Sequence, residues 1–506
     1  MSSEPAADPD GAGGHLPARH RWSGAVFLLV AIAMIMVDTT VVTIALPVIE
    51  RDLETTGAQL QWISATYTLA FALTLVTAGR IGDMVGRKRT ALLGIAGFVL
   101  ASAVCTFAPD IATLLTGRVL QGLTGAFIIT QGLSILQVAF PPDERATVLG
   151  LFGAVAGGAA ALGPPLGGLL VHADLFGLAW RPVFLINLPI GAAALAGAAL
   201  FVRESRSQRP LRLDPAGVAL LSAALLALLY PLIQGRELDW PWWTAPVMAA
   251  SLPLLLLLRI HQGSRHRSGA TPLVPPELFR HRSFGAGLAV VLMAFGGAFS
   301  LFFVFSIYLQ SGLGMSVLQA GLATMASPVA TMAVSVFAVR LAVRLGPRVL
   351  TAGAALAAAG QAMLVWTVGR VDATAGIWDF VAPMLVSGIG VGLIVAPIID
   401  IVLARVPGAV AGAASGLLNT ADQLGIAAGV ALVGTVFFTR IADAARSGAD
   451  RSESFTAGLQ AALWVDIGLL AASLLLTFLL PRAPRSDDAP SPEEHGDTGA
   501  RRSERT

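Results

Sequence analysis

Gly79-Arg80-Ile81-Gly82-Asp83-Met84-Val85-Gly86-Arg87-Lys88 is a short polar loop between two long apolar runs. A worn copy follows far downstream as Val339-Arg340-Leu341-Ala342-Val343-Arg344-Leu345-Gly346-Pro347-Arg348. Arg80 matches Arg340, Gly86 matches Gly346 and Lys88 matches Arg348, while Val343 stands in place of Asp83. A connection this short, holding Asp83, Arg80, Arg87, Lys88 and Arg89, has to turn tightly, and glycine permits that. Its recurrence implies a chain made of two alike halves.

The flanking runs settle the class. Of 506 residues, 55% are hydrophobic and 13% charged, against about 25% charged in an average soluble domain, and mean hydropathy is +0.74. A soluble enzyme is excluded. The charges gather between apolar runs that meet the roughly 18-residue threshold for a membrane-spanning helix. These runs lie near 24–48, 59–79, 90–108, 111–138, 147–171, 182–202, 215–234, 243–260, 284–309, 318–339, 349–369, 377–402, 410–439 and 459–480. The expectation is an all-α integral membrane protein of 14 spans. If spans 2 and 10 correspond, one six-span bundle occupies 22–202 and another 284–480. Residues 203–283 then hold a linker with spans 7 and 8 as an inserted pair, and the polar tails 1–21 and 481–506 read as disordered.

Sidedness follows from basic residues in the short loops. Loops on the N-terminal side carry 22 Lys and Arg and the opposite loops 7, so both termini are expected in the cytoplasm. The first tail lacks the short apolar core and cleavage site of a signal peptide. Arginine outnumbers lysine 32 to one, Lys88 alone, a bias pointing to a GC-rich bacterium and hence to a bacterial plasma membrane. The single cysteine, Cys105, lies in an apolar run and reads as a small buried hydrophobe.

Charges inside spans are the chemical candidates, because an acid at the bilayer centre costs about 2.5 to 3.5 kcal/mol and faces the protein interior. Asp38 sits roughly 21 Å into the first span. Arg118, in Gly117-Arg118-Val119-Leu120-Gln121-Gly122-Leu123-Thr124-Gly125, lies at a similar depth in the fourth. If those helices are neighbours the two side chains meet. Desolvation favours the neutral acid and a nearby arginine the ionised form, so a carboxyl that alternates between them loads and releases a proton. In the repeated loop, Asp83 is expected to accept hydrogen bonds from a helix N-terminus of the neighbouring bundle, a latch that breaks on opening. Gly153, Gly157, Gly158, Gly163, Pro164, Pro165, Gly167 and Gly168 give the fifth span a close-packing groove and a bend.

These stretches resemble the Major Facilitator Superfamily, in its 14-helix drug:proton antiporter branch, over residues 22–480. Gly79 to Arg89 resembles the family's cytoplasmic loop between helices 2 and 3, here with Gly79, Asp83, Gly86, Arg87 and Lys88. Arg118-Val119-Leu120-Gln121-Gly122 with Gly125 resembles the helix 4 signature implicated in proton transfer. Gly163-Pro164-Pro165-Leu166-Gly167-Gly168 resembles the helix 5 signature of exporters. Asp38-Thr39-Thr40-Val41 with Ala45-Leu46-Pro47, and Trp180-Arg181 with Phe184-Leu185-Ile186-Asn187-Leu188-Pro189, resemble further signatures of the branch. There are departures: Thr43 replaces a usual Asn, and Asn419-Thr420-Ala421-Asp422 carries an acid where a basic residue is commoner. Asp422 either senses a cationic substrate or a second proton, or lies near a helix end in water.

The resemblance implies a proton-coupled antiporter that exports lipophilic small molecules, whether drugs, antibiotics or a product of its host. Asp38 and Arg118 would couple protons, with Gln121, Asn187, Asn419, Asp422 and Asp466 as candidate substrate or proton sites. No phosphate-cradling loop for ATP exists, so the proton gradient is the expected energy source, with no cofactor and no metal. The expected partners are the lipid bilayer, protons and a small-molecule substrate, without nucleic acid, and the expected state is a monomer. An importer or dedicated metabolite transporter is the second reading. A polytopic membrane enzyme is a remote third, since the seven histidines are scattered.

Overall fold

Two capping boxes start two helices of equal length at corresponding places in the chain. Thr56 and Gln59 exchange side-chain and backbone hydrogen bonds at the start of α2 (Gly57–Val85), as Ser316 and Gln319 do at the start of α11 (Val317–Leu345), and each helix has 29 residues. Each ends on a glycine with positive φ, Gly86 at 127° and Gly346 at 58°, whose N–H returns to the carbonyl four residues back. The repeated loop of the sequence is therefore a helix C-terminus that only glycine closes without strain.

The computed structural model describes residues 18–206, 213–270, 272–273, 277–278, 282–371, 375–403 and 411–480. It is helical throughout the described elements. The other helices are α1 (Ala18–Leu53), α3 (Arg87–Thr106), α4 (Ile111–Ala139), α5 (Pro142–His172), α6 (Pro182–Leu185), α7 (Asn187–Phe201), α8 (Pro215–Gln234), α9 (Thr244–Arg267), α10 (Arg282–Ile307), α12 (Arg348–Val368), α13 (Ile377–Val395), α14 (Ile398–Leu403), α15 (Ala411–Arg446) and α16 (Arg451–Thr477). Among the described residues, twelve helices are long and apolar enough to cross a membrane, and the bent α2 makes a thirteenth. The expected count of 14 is reached only by adding α5, a 31-residue helix.

Packing follows one plan twice. In the first set α1 packs on α5 and α7, α2 on α4, and α3 on α4 and α7. In the second, α10 packs on α15 and α16, α11 on α13, and α12 on α13 and α16. The sets meet where α5 lies on α11 and α2 on α15. The inserted α8 and α9 pack on each other, with α8 touching α2 and α15. Leu93, Leu100, Leu200, Leu252 and Leu475 point outward, each about two-thirds exposed or more, as side chains facing lipid do.

Several helices outrun the expected spans, α1 to Leu53, α2 to Val85, α9 to Arg267 and α15 to Arg446, and the first tail is shorter than expected. Helix α1 already includes residues 18–21, which the sequence reading assigned to a disordered tail, because Arg21 pairs with Glu144 at 3.2 Å and Trp22 meets the Phe140 ring edge-on at 5.0 Å. Residues 1–17 and 481–506, the remainder of the two tails, lie outside the described residues.

Candidate functional site: a buried ion pair beside a one-sided closure

Asp38 of α1 and Arg118 of α4 are both buried, and Arg118 NH1 donates to Asp38 Oδ2 at 2.7 Å. The other carboxylate oxygen accepts from Asn187 Nδ2 of α7 at 2.7 Å and from Gln121 Nε2 at 3.0 Å. Gln121, one turn along α4 from Arg118, accepts from Arg118 NH1 at 2.8 Å through its Oε1 and donates to Ser102 Oγ of α3 at 2.9 Å. Arg118 Nε reaches the Ile63 carbonyl at 3.2 Å, and its guanidinium lies 4.3 Å from the centre of the Tyr67 ring. A buried charge pair is tolerated only when its remaining donors and acceptors are satisfied, and here both carboxylate oxygens are. Four of the residues singled out in the sequence, Asp38, Arg118, Gln121 and Asn187, thus share one hydrogen-bonded cluster.

Ser102, Tyr67 and the Ile63 carbonyl escaped the sequence reading. A serine in an apolar span carries no signal of its own, and a backbone carbonyl carries none at all. Cys105 is buried as expected, with its thiol 3.5 Å from Gln121 Oε1.

The helix 5 residues are not part of this cluster; they pack on α1 from Val37 and Thr40, beside the level of Asp38, toward the end remote from the N-terminus, the distal side. Gly163 and Gly167 bring α5 onto α1: a Cβ at Gly163 would overlap Thr40, and one at Gly167 would lie 2.8 Å from Val41. Gly168 faces α11, where a Cβ would stand 2.9 Å from Leu318, and a Cβ at Gly321 would stand 2.5 Å from the Pro164 carbonyl. Toward the other end the same two helices part. At Gly158 the nearest atom is Met332 Sδ at 3.9 Å, and beside Gly153 and Gly150 there is open space. The two sets of helices are therefore closed distally and open toward the face that carries the repeated loop.

Helices α1 and α10 share in the distal closure. Pro47 lacks an N–H, so the Thr43 carbonyl four residues back loses its helical donor, and Ser306 Oγ of α10 takes its place at 2.8 Å. Gln310 Nε2 donates to the Ile44 carbonyl at 2.9 Å. Gln310 lies in a π-helical turn, Tyr308–Gly312, at the end of α10.

Asp83 corrects one expectation. Its carboxylate pairs with Arg87 at 2.9 Å, within the same loop, rather than with a helix end of the other set. The spacing of four residues brings Arg87 within reach across the Gly86 turn. The loop is fastened instead by the segment after α7: Glu204 accepts from the N–H groups of Lys88 and Arg89 at 3.0 and 3.2 Å, Ser205 from Arg87 N–H at 2.9 Å, and Lys88 Nζ donates to the Ala199 carbonyl at 2.7 Å. A Cβ on Gly86 would lie 2.6 Å from Glu204, whereas Gly79 faces open space.

Asn419, Asp422 and Asp466 stand apart from the cluster. Asp422 lies well inside α15 with Oδ1 buried and without a hydrogen-bond partner among the described residues, so it is not at a watery helix end. Asn419, a turn earlier on α15, is half-buried. Asp466 on α16 is wholly buried.

A two-set bundle of apolar helices, closed on one side and with a buried charge pair inside one set, is the architecture of a membrane transporter with alternating access. The comparisons agree. The family model of the Major Facilitator Superfamily matches residues 28–430, and the chain belongs to that superfamily. It is 38% identical over 450 residues to the probable actinorhodin transporter of Streptomyces coelicolor, covering 88% of this chain and 78% of that one. It is 33% identical to the tetracenomycin C resistance and export protein of Streptomyces glaucescens, covering 88% and 81%. A bacterial homolog of the human lysosomal transporter Spinster, in an inward-facing and occupied conformation, shares the fold at a TM-score of 0.64 and 17% identity, covering 92% and 97% of the two chains. The protein is a multi-pass membrane protein.

Proposed function

We propose that this chain is a proton-coupled antiporter that exports lipophilic small molecules, of the antibiotic kind named for its relatives, from the bacterial cytoplasm. It works as a transporter and not as an enzyme, without a cofactor, as a monomer with both termini in the cytoplasm. Residues 22–202 and 284–480 are the two halves that rock about the distal closure, with α10 sliding against α16 inside the second half and the inserted pair in 203–283 between the halves. The observation that carries this reading is the Asp38–Arg118 pair with its shell of Gln121, Asn187 and Ser102.

A proton and the guanidinium compete for the same carboxylate. When Asp38 takes up a proton its hold on Arg118 weakens, while Arg118 keeps Gln121, the Ile63 carbonyl and the Tyr67 face. The loosened α1 is the helix whose Thr43 and Ile44 carbonyls bond to α10 across the distal closure. Neutralisation at Asp38 is thereby felt about 9 Å along the same helix. Asp83, Gly86, Arg87 and Lys88 shape the cytoplasmic hinge, and Gly163, Pro164, Gly167 and Gly168 the distal seal. Gln121, Asn187, Asn419 and Asp422 serve as polar contacts for substrate or proton.

Proton entry down a 100 mV potential supplies about 2.3 kcal/mol, enough for a roughly 50-fold substrate gradient at one net charge per cycle. Everted membrane vesicles with an internal pH probe test the reading: lipophilic compounds added to wild-type vesicles should dissipate the pH gradient, and Asp38→Asn should abolish the response. An equal response in that variant removes Asp38 from the mechanism.

A further inference from the structure

Asp466 is a second buried carboxyl, and its surroundings are the reverse of those of Asp38. Ser300 Oγ of α10 lies 2.5 Å from the Gly296 carbonyl and 2.6 Å from Asp466 Oδ1. A hydroxyl has one proton to give and a carbonyl has none. Both contacts are satisfied together only when Ser300 gives its proton to Gly296 and Asp466 carries a proton of its own toward Ser300. Asp466 Oδ2 has no hydrogen-bond partner among the described residues, nor has Gln361 Oε1 of α12, whose Nε2 donates at 2.7 Å to the carbonyl of Gly297, the next residue along α10. An ionised carboxylate would need donors or a cation at both oxygens.

No cation is at hand on the helices packed around it. α10 has no charged residue after Arg282, α12 none after Arg348, and α16 only Arg451 and Glu453 at its start besides Asp466. On α15 the residues that meet Gly296 are Gly425 and Gly429, and the basic residues Arg440 and Arg446 lie at least about 16 Å along the helix from them. The charged group of α15 nearer that level is the acid Asp422. Helices α1, α3 and α7 meet through Asp38, Ser102 and Asn187 with Arg118 supplied by α4; their counterparts α10, α12 and α16 carry Ser300, Gln361 and Asp466, while α13, the counterpart of α4, has Asp379 at its start as its one charged residue.

We propose that Asp466 is a second proton-binding site, loaded in the conformation described here and emptied when α10 draws away from α16 as the distal side opens. The interface suits such a step: a Cβ at Gly297 would lie 2.7 Å from the Asp466 carbonyl, so the two backbones touch and a small slide separates the carboxyl from Ser300. The same helix α10 carries Ser306 and Gln310, whose bonds to α1 break when the distal closure opens. Proton release from Asp466 would accompany that movement, in addition to the proton assigned to Asp38. The additional count rests on that assignment, whereas the protonation of Asp466 does not.

Infrared difference spectroscopy of the full-length protein in lipid tests both parts through the carbonyl stretch of an un-ionised carboxylic acid, which lies above the amide bands. Wild type should show this band, Asp466→Asn should lose it and Asp38→Asn should keep it. Ser300→Ala should shift it to higher frequency as its hydrogen bond is lost, a readout that remains if Asp466→Asn fails to fold. Gly321→Trp wedges the distal seal apart, and there the band should disappear. A spectrum in which Asp466→Asn removes no band and Ser300→Ala shifts none overturns the protonation. A band retained in full in Gly321→Trp makes Asp466 a permanently neutral acid and overturns the exchange. Failure of the Asp38 reading shows separately, as vesicle responses preserved in Asp38→Asn while the Asp466 band behaves as stated.

Discussion

Replacing Asp38 by Asn leaves the Arg118 guanidinium buried without its counter-charge, and the cost can be worked from the geometry. With N and O 2.7 Å apart, the charge centres lie roughly 4 Å apart, worth about 4 kcal/mol at an effective dielectric constant near 20. Removing one member of a buried pair generally costs about 3–5 kcal/mol. Arg118 retains Gln121 Oε1, the Ile63 carbonyl and the Tyr67 ring, which holds the loss near the lower limit, about 3 kcal/mol. Asp38→Asn combined with Arg118→Gln removes both charges and should recover most of that loss. The assay is denaturant unfolding of the four proteins of this cycle in lipid-like micelles, with the coupling taken as the non-additive part. A single variant within about 1 kcal/mol of wild type, or a double variant no more stable than the single one, refutes the claim that the pair is charged and mutually compensating.

Three further outcomes follow from other contacts. Gly321→Val places side-chain atoms against the Pro164 carbonyl, where even a Cβ stands at 2.5 Å; the protein should still insert but fail to close distally, and labelling of a cysteine introduced at Leu318 in a Cys105→Ser background should rise from the distal side well above the same background with Gly321. Glu204→Ala removes the acceptor for two N–H groups at the start of α3 and should cost about 1 kcal/mol, as loss of a helix cap does, read as faster amide exchange at residues 87–89. Burial pushes the Asp214 carboxyl up, but bonds from His261, Gln262 and the Gly217 N–H, with Arg265 nearby, outweigh it and hold the group below the usual carboxylate range. Its stabilisation of the α8–α9 pair is therefore present above the ordinary aspartate value of about 3.9 and lost only as pH falls through the lower folded one. Amide protection in α8 and α9, taken relative to the intrinsic exchange rate at each pH, should stay constant from neutral pH to that range and then fall, and Asp214→Asn should remove the step.

The apolar runs, the repeated loop and the depths of Asp38 and Arg118 were legible in the sequence because each is local. Span length follows from rise per residue, and depth from counting along one helix. Glycine at 86 and 346, and the capping boxes ahead of α2 and α11, are likewise local demands of a helix end. Which side chains meet is not. Asp38 reaches Arg118, Gln121 and Asn187 across sequence separations of 80, 83 and 149 residues, and such contacts depend on how each helix is rotated about its axis, which apolar runs on all faces leave open. For the same reason Asp83 found Arg87 and not the other half, and Asp466 came to rest against Ser300 away from any basic residue. The direction of opening belongs to the same class, since the glycines of α5 allow close packing anywhere along the helix, and only the placement of α11 decided that the seal lies at Gly168 and the gap at Gly153.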